Sequence, residues 1–139
     1  MYSIAIDGPA GAGKSTIAKT IAKKLEFIYV DTGAMYRAMA LFFIRSKIDD
    51  TDEAVIDAAC KNIKVSIAYE NGMQQVILNG ENVTGQIRAE EVGNMASKTS
   101  AYPSVRAALL DLQRDLAKTA DILMDGRDIG TNVLPDADL

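Results

Sequence analysis

Apolar positions change their spacing several times along the chain, and each change predicts an element. Ser3-Ile4-Ala5-Ile6 is a short β-compatible run with glycine close behind it, the pattern of a buried parallel strand. From Lys14 to Leu25, Ile17, Ala18, Ile21, Ala22 and Leu25 share one helical face, and Lys19, Lys23 and Lys24 fall largely outside it. That predicts an amphipathic helix. Phe27-Ile28-Tyr29-Val30 reads as a second buried strand, ended by Asp31-Thr32-Gly33. A helix opens there, with Asp31 or Thr32 able to accept its first-turn amide hydrogens, and it runs to about Ile44. A further short helix fits Asp52 to Cys60.

The period then drops to two. Val65, Ile67 and Tyr69 alternate, Asn71-Gly72 follows, then Gln74 to Leu78, Asn79-Gly80, and Glu81 to Thr84. Asn-Gly is the strongest short hairpin signal because both residues tolerate positive φ. Ile63 to Thr84 is therefore an antiparallel meander inserted into an α/β frame. From Arg88 the chain is helical again, and Tyr102-Pro103 breaks it. The next helix carries Val105, Leu109, Leu112 and Leu116 at helical spacing. Ile122-Leu123-Met124 is a third buried strand, from which Asp125-Gly126-Arg127-Asp128 leaves. Short right-handed crossovers predict that Ser3–Ile6, Phe27–Val30 and Ile122–Asp125 form a parallel sheet. The meander is expected to lie outside that sheet. The last residues, Val133 to Leu139, resemble the lead-in to another strand, so the chain reads as cut.

Composition narrows the chemistry. The chain has 139 residues, 48% apolar and 24% charged, enough for one domain with a real core. A formal charge of −4 argues against non-specific grip on nucleic acid. Without a long apolar run or a signal segment, neither a membrane nor export is expected. The lone Cys60 fits a reducing cytoplasm. Histidine is absent, which removes His bases and His metal sites. The acidic stretch Asp49 to Glu53 reads as a loop and a solvated helix start.

Gly8-Pro9-Ala10-Gly11-Ala12-Gly13-Lys14-Ser15 matches G-x-x-x-x-G-K-[ST] without a gap, after a strand and before a helix. Glycines let the backbone turn its amide hydrogens toward phosphate oxygens, and the helix start adds its dipole. Lys14 supplies a mobile charge for the β and γ phosphates, and the Ser15 hydroxyl ligates magnesium. The motif predicts nucleoside triphosphate binding. Alone it does not separate a GTPase, an ATPase motor and a small-molecule kinase.

Two further segments leave the carboxyl ends of predicted strands, where open α/β sheets place ligands. They are Asp31 to Arg37 and Asp125 to Asp128. Arg37 and Arg127 suit a phosphate acceptor, because a planar guanidinium donates two parallel hydrogen bonds. A monophosphate acceptor also needs no histidine base, since its second pKa is about 6 and its oxygens are already charged at neutral pH. Aspartates remain available as bases. On spacing alone Tyr36 also fits a core aromatic, Arg106 a solvated helix position, Asp125 a loop cap and Ser97 an ordinary helix serine.

Gly8 to Ser15, Asp31 to Arg37, the meander, Ala96-Ser97 through Arg106, and Asp125 to Asp128 together resemble bacterial cytidylate kinase over essentially the whole chain. The resemblance implies an α/β fold with a partial P-loop parallel sheet and an inserted β-meander, and the topology of P-loop kinases puts Phe27–Val30 at one edge of that sheet, Ile122–Asp125 in the middle and Ser3–Ile6 beyond it. It implies a single incomplete kinase domain, with residues 1–36 and 119–139 as P-loop core and 37–118 as the acceptor-binding region. It implies transfer of a phosphoryl group from ATP, with Mg2+, to CMP or dCMP in the cytoplasm. ATP binding falls to Gly8 through Ser15 and to Thr16. Thr32, Tyr36 and Arg37 would hold the acceptor, with Arg37 on its phosphate. Ser97, Arg106 and Asp125 match the cytosine readers and Arg127 the second phosphate arginine. Lys14, Arg127 and Asp128 form the catalytic set, Asp128 supporting magnesium or orienting its neighbours. Another P-loop kinase acceptor, or nucleotide binding without turnover, are the alternatives.

The family continues into further strands and an arginine-bearing lid that this sequence lacks. The parent enzyme is expected to be a monomer. The 139-residue chain by itself is expected to self-associate or be poorly stable, because Ser3–Ile6 would present an unpaired apolar edge. It should also transfer phosphate at a negligible rate. Size-exclusion chromatography with light scattering, paired with a CMP kinase assay, checks both; a stable monomer with full activity is the opposing outcome.

Overall fold

Ile122, Leu123 and Met124 are apolar without interruption, so the strand they form has no face suited to water. The computed structural model describes residues 2–7, 14–126 and 137, with the backbone alone for Lys14 and Ser15. In chain order it contains β1 (Ser3–Asp7), α1 (Lys14–Leu25), β2 (Ile28–Asp31), α2 (Thr32–Arg45), α3 (Glu53–Cys60), β3 (Val65–Glu70) and β4 (Met73–Leu78). β5 (Glu81–Asn82), a 3-10 turn (Gln86–Arg88), α4 (Glu90–Thr99), α5 (Pro103–Thr119) and β6 (Ile122–Gly126) follow. The chain divides into two compact units, Met1–Gly33 with Leu112–Leu139, and Ala34–Asp111.

In the first unit β6 lies between β1 and β2, parallel to both. This is the order expected from the resemblance. Ile4 and Tyr29 both pair with Leu123, and paired residues of neighbouring strands share a face. On that face Ile4, Leu123, Ala18 and Ala22 are buried together, with Ile6, Phe27 and Tyr29 packed around them. The helix therefore approaches the sheet through alanines. Its larger apolar residues stand off: Ile17 is 60% exposed and Leu25 47%. The apolar stripe of α1 is wider than the contact it makes among the described residues, and Ala18 and Ala22 occupy the side turned to the sheet. Helix α1 ends where Glu26 adopts φ 59°. The Glu26 and Phe27 amides return to the carbonyls of Lys23 and Ala22 at 3.3 and 2.9 Å, a left-handed C-terminal cap.

The second unit holds a separate antiparallel sheet in the order β3-β4-β5. Both hairpins have two-residue loops, since Glu70 pairs with Met73 and Leu78 with Glu81. Asn71 and Gly72 take φ 54° and 76°, Asn79 and Gly80 φ 49° and 87°, the mirror-image turn that matches strand twist. The third strand is shorter than the predicted Glu81–Thr84. Beyond Asn82 the Val83 amide still donates to the Val76 carbonyl at 2.9 Å, but the Val76 amide goes to the Thr84 hydroxyl at 2.9 Å. Val76, Leu78 and Val83 from the meander bury against Ala38, Leu41, Val92 and Ala96. Asp52 caps α3 by accepting the Val55 amide at 3.3 Å, and Asp49 accepts both the amide and hydroxyl of Thr51. The acidic run is thus a turn and a helix cap. Helix α2 ends like α1: Lys47 has φ 53°, and Ile48 donates to Phe43 at 2.9 Å.

In α5 the buried row is Val105, Leu109 and Gln113. Leu112 and Leu116 are only half-buried, so the helix is turned slightly from the face its leucines suggested.

Leu123→Ala should destabilise the protein by about 2–5 kcal/mol, the cost of deleting a fully buried leucine. Lys47→Gly should stabilise it by up to about 1 kcal/mol by removing the strain of a side chain at positive φ. Urea unfolding monitored by circular dichroism measures both.

Candidate functional site

In the first unit β1 ends at Asp7 and α1 begins at Lys14. The phosphate-loop motif therefore joins a parallel strand to a helix, the setting its chemistry requires. Residues 8–13, with Gly8, Pro9, Ala10, Gly11, Ala12 and Gly13, lie outside the described residues, as do Arg127 and Asp128. Lys14 and Ser15 form the first turn of α1. Thr16 is exposed, and its carbonyl accepts the Thr20 hydroxyl at 2.9 Å.

Asp125 sits at the carboxyl end of the central strand, between Ile6 on β1 and Asp31 on β2. It is 3% exposed. Strand alternation places Asp125 on the same face as Leu123, and Tyr29 is paired with Leu123. The Tyr29 ring can therefore run along that face, and its hydroxyl donates to Asp125 Oδ2 at 2.8 Å. Lys19 Nζ stands 5.7 Å from the centre of the same ring, within cation–π range. The Thr32 hydroxyl donates to the Asp125 main-chain carbonyl at 2.9 Å and is buried. That bond ties the start of α2 to the end of β6. The sequence offers Asp31 or Thr32 as an acceptor for first-turn amides; the Thr32 hydroxyl also donates its hydrogen to β6, which leaves its oxygen able to accept. Asp31 keeps the neighbouring position, with Oδ1 3.2 Å from where a side chain on Gly33 would begin.

In the second unit the sequence-predicted residues collect around α4. Arg37, half-buried on α2, donates from Nη1 to the Ile87 carbonyl at 2.9 Å. Its guanidinium also lies against Gly93 in the first half of α4. Ser97, one turn further on, is exposed and donates from Oγ to the Gly93 carbonyl at 3.1 Å. Arg106, half-buried in α5, donates from Nε to the carbonyl of Ser100, the residue that closes α4, at 2.9 Å. Tyr36 is half-buried beside Arg37 on α2. Arg37 and Arg106 are thus each held by a main-chain carbonyl that flanks α4, and Ser97 lies within that helix. Lys98 pairs with Asp50 at 3.4 Å from the same helix.

Groups with shifted acidity lie elsewhere. The Glu81 carboxyl is held below its ordinary range by its hydrogen bond with Arg45, and Thr51 does the same for Asp49. Burial raises the Cys60 thiol and pushes Tyr69 up to about 12. Among the described residues no group of three or more Cys, Asp or Glu could hold a metal, and no helix is long and apolar enough to cross a membrane. Two residues that sequence reasoning missed stand out. In the sequence Tyr29 is a strand residue and no more, and the register that brings it to Asp125 is not visible in one strand. Gly93 carries no local motif, and its place against the Arg37 guanidinium shows only in three dimensions.

The family model described as cytidylate kinase matches residues 4–139. The chain is 53% identical over 137 residues to the cytidylate kinase of Listeria innocua, covering 98% of this chain and 60% of that protein. It is 49% identical over 136 residues to the cytidylate kinase of a Geobacillus species, covering 98% of this chain and 61% of the relative. It is 51% identical over 137 residues to that of Caldicellulosiruptor saccharolyticus, covering 99% and 61%. The chain spans about three-fifths of the length of the relatives it matches.

Tyr29→Phe keeps the ring and removes the hydrogen bond to a buried carboxyl group. It should lower stability by about 1–3 kcal/mol. Denaturant unfolding checks this, and an unchanged midpoint would contradict the bond.

Proposed function

The chain belongs to the cytidylate kinase family, and on that premise we propose that its protein transfers the γ-phosphoryl group of ATP to CMP or dCMP. A non-bridging oxygen of the monophosphate forms a bond to the γ-phosphorus, and the bond to the β–γ bridging oxygen breaks. The products are ADP and the cytidine diphosphate. The observation that carries this reading is the placement of the phosphate-loop motif between a parallel strand and α1, in a chain whose whole length resembles these kinases.

Such a reaction needs little covalent chemistry from the protein, because the acceptor is already anionic at neutral pH. The chain's task is to hold two anionic groups in line and to balance charge as it shifts. Residues 8–13 with Thr16 are assigned to ATP, and Lys14 to the β and γ phosphates. Mg2+ is usually held by one or two side chains together with substrate phosphates. Ser15, in the first turn of α1, suits that requirement, and the ion when bound would supply charge neutralisation. Arg37 and Arg127 are assigned to the acceptor phosphate, Asp128 to support of the same centre, and Thr32 and Tyr36 to the acceptor nucleotide. Ser97, Arg106 and Asp125 are assigned to cytosine, whose amino group donates while its ring nitrogen and carbonyl accept. Asp125 enters that role with one carboxylate oxygen taken by Tyr29. A cytoplasmic location suits the lone Cys60.

In the full-length protein, CMP and dCMP should be phosphorylated far more efficiently than UMP, whose base leaves the paired polar groups unmatched by a few kcal/mol. Lys14→Ala should lower turnover by about 10²-fold or more. Arg37→Ala should chiefly raise KM for CMP, leaving KM for ATP close to its original value. Steady-state kinetics on a panel of monophosphates tests these together; comparable efficiency with UMP would remove the base readers, and equal loss of both substrates would remove Arg37.

A further inference from the structure

Gly93 lies inside α4, where glycine is less favourable than alanine because it has more backbone freedom to lose. Its conformation does not demand glycine, since the described glycines with positive φ are Gly72 and Gly80. Space does. A Cβ built on Gly93 would meet Arg37 Nη2 at 2.9 Å, Cζ at 3.3 Å and Nη1 at 3.4 Å. The guanidinium occupies the volume that a side chain at position 93 would take. Its Nη1 is fixed there by the Ile87 carbonyl at 2.9 Å, which precedes α4 by a few residues. Arg37 is therefore held at two points, by a backbone acceptor and by contact with a bare stretch of helix.

We propose that Gly93 is a positioning residue for Arg37, and that affinity for the acceptor's phosphate depends on position 93 carrying no side chain. The inference rests on the assignment of Arg37 to that phosphate. An arginine already held in one orientation loses less freedom when it meets a planar anionic partner. A methyl group at 93 displaces the guanidinium by a few tenths of an ångström. A larger side chain evicts it from this position, so the effect should grow with side-chain size.

Gly93→Ala and Gly93→Leu, each made in the full-length protein with and without Arg37→Ala, provide the test. With Arg37 present, KM for CMP should rise several-fold in the alanine variant and about tenfold or more in the leucine variant, while KM for ATP stays within about twofold. The melting temperature of Gly93→Ala should hold or rise, because alanine favours the helix, so substrate affinity and stability move in opposite directions. A purely structural glycine would not produce that split. In the Arg37→Ala background neither substitution should change KM for CMP further, as coupled neighbours require. If Arg37→Ala alone leaves CMP binding intact, the assignment of Arg37 fails and the inference with it. If Arg37→Ala weakens CMP while Gly93→Ala does not, or if the Gly93 effects persist without Arg37, the positioning role alone is overturned. Gly93→Ala decides the matter even where Gly93→Leu does not fold.

Discussion

The central strand β6 must satisfy its backbone on both edges and bury side chains on both faces, and the first unit follows from that demand. Ile122, Leu123 and Met124 are all essentially inaccessible to water. A strand in that position cannot use solvent as a hydrogen-bonding partner, so it needs a neighbour on each side. β1 and β2 take those places in parallel register. Even the entry to the sheet is tied across sequence. The Tyr2 amide donates to Asp121 Oδ1 at 2.7 Å, and the Ile28 amide donates to the Asp121 carbonyl at 3.0 Å. Parallel pairing brings three carboxyl ends to one edge of the sheet. That is why Asp7, Asp31-Thr32 and Asp125 come from distant stretches of chain yet belong to one edge.

The second unit solves a different problem, which is to hold long charged side chains in defined places. Arginine has many rotamers, and a solvated one has no reason to choose among them. Here Arg37 and Arg106 each donate to a main-chain carbonyl, of Ile87 in the 3-10 turn before α4 and of Ser100 at its C-terminal end. The carbonyl of Ser100, just past the last turn of α4, is one the helix itself does not use, and that of Ile87 belongs to the 3-10 turn ahead of it. The meander supports this arrangement from below the surface: Val76, Leu78 and Val83 bury the apolar side of α4 through Val92 and Ala96. Packing thus fixes the helix, and the main chain on either side of it holds the arginines.

Element types were legible in the sequence wherever one local rule governed them. Period-two alternation with two Asn-Gly pairs predicted the meander, and both turns have the positive φ values that dipeptide favours. Tyr102-Pro103 predicted a break, and Pro103 opens α5, where its missing amide hydrogen costs nothing. The ends of α1 and α2 were less legible. Both close through a left-handed residue that is not glycine, Glu26 and Lys47, so the usual chemical marker is missing. The strain is accepted because Phe27 and Ile48 bond back to each helix. The buried face of α5 was likewise decided by surroundings, with Gln113 taking a core position that its polarity argued against.

By itself the sequence determined the strand and helix types, the two Asn-Gly turns and the phosphate-loop motif. Each depends on residue identity and short spacing, which the chain carries locally. Only the tertiary structure decided that Tyr29 donates to Asp125, that Thr32 gives its hydrogen to β6, and that Gly93 leaves room for Arg37. Those contacts join residues 96, 93 and 56 positions apart (125 − 29, 125 − 32 and 93 − 37). No local pattern encodes them, because they arise from strand register and helix packing, which form only when the whole fold is assembled.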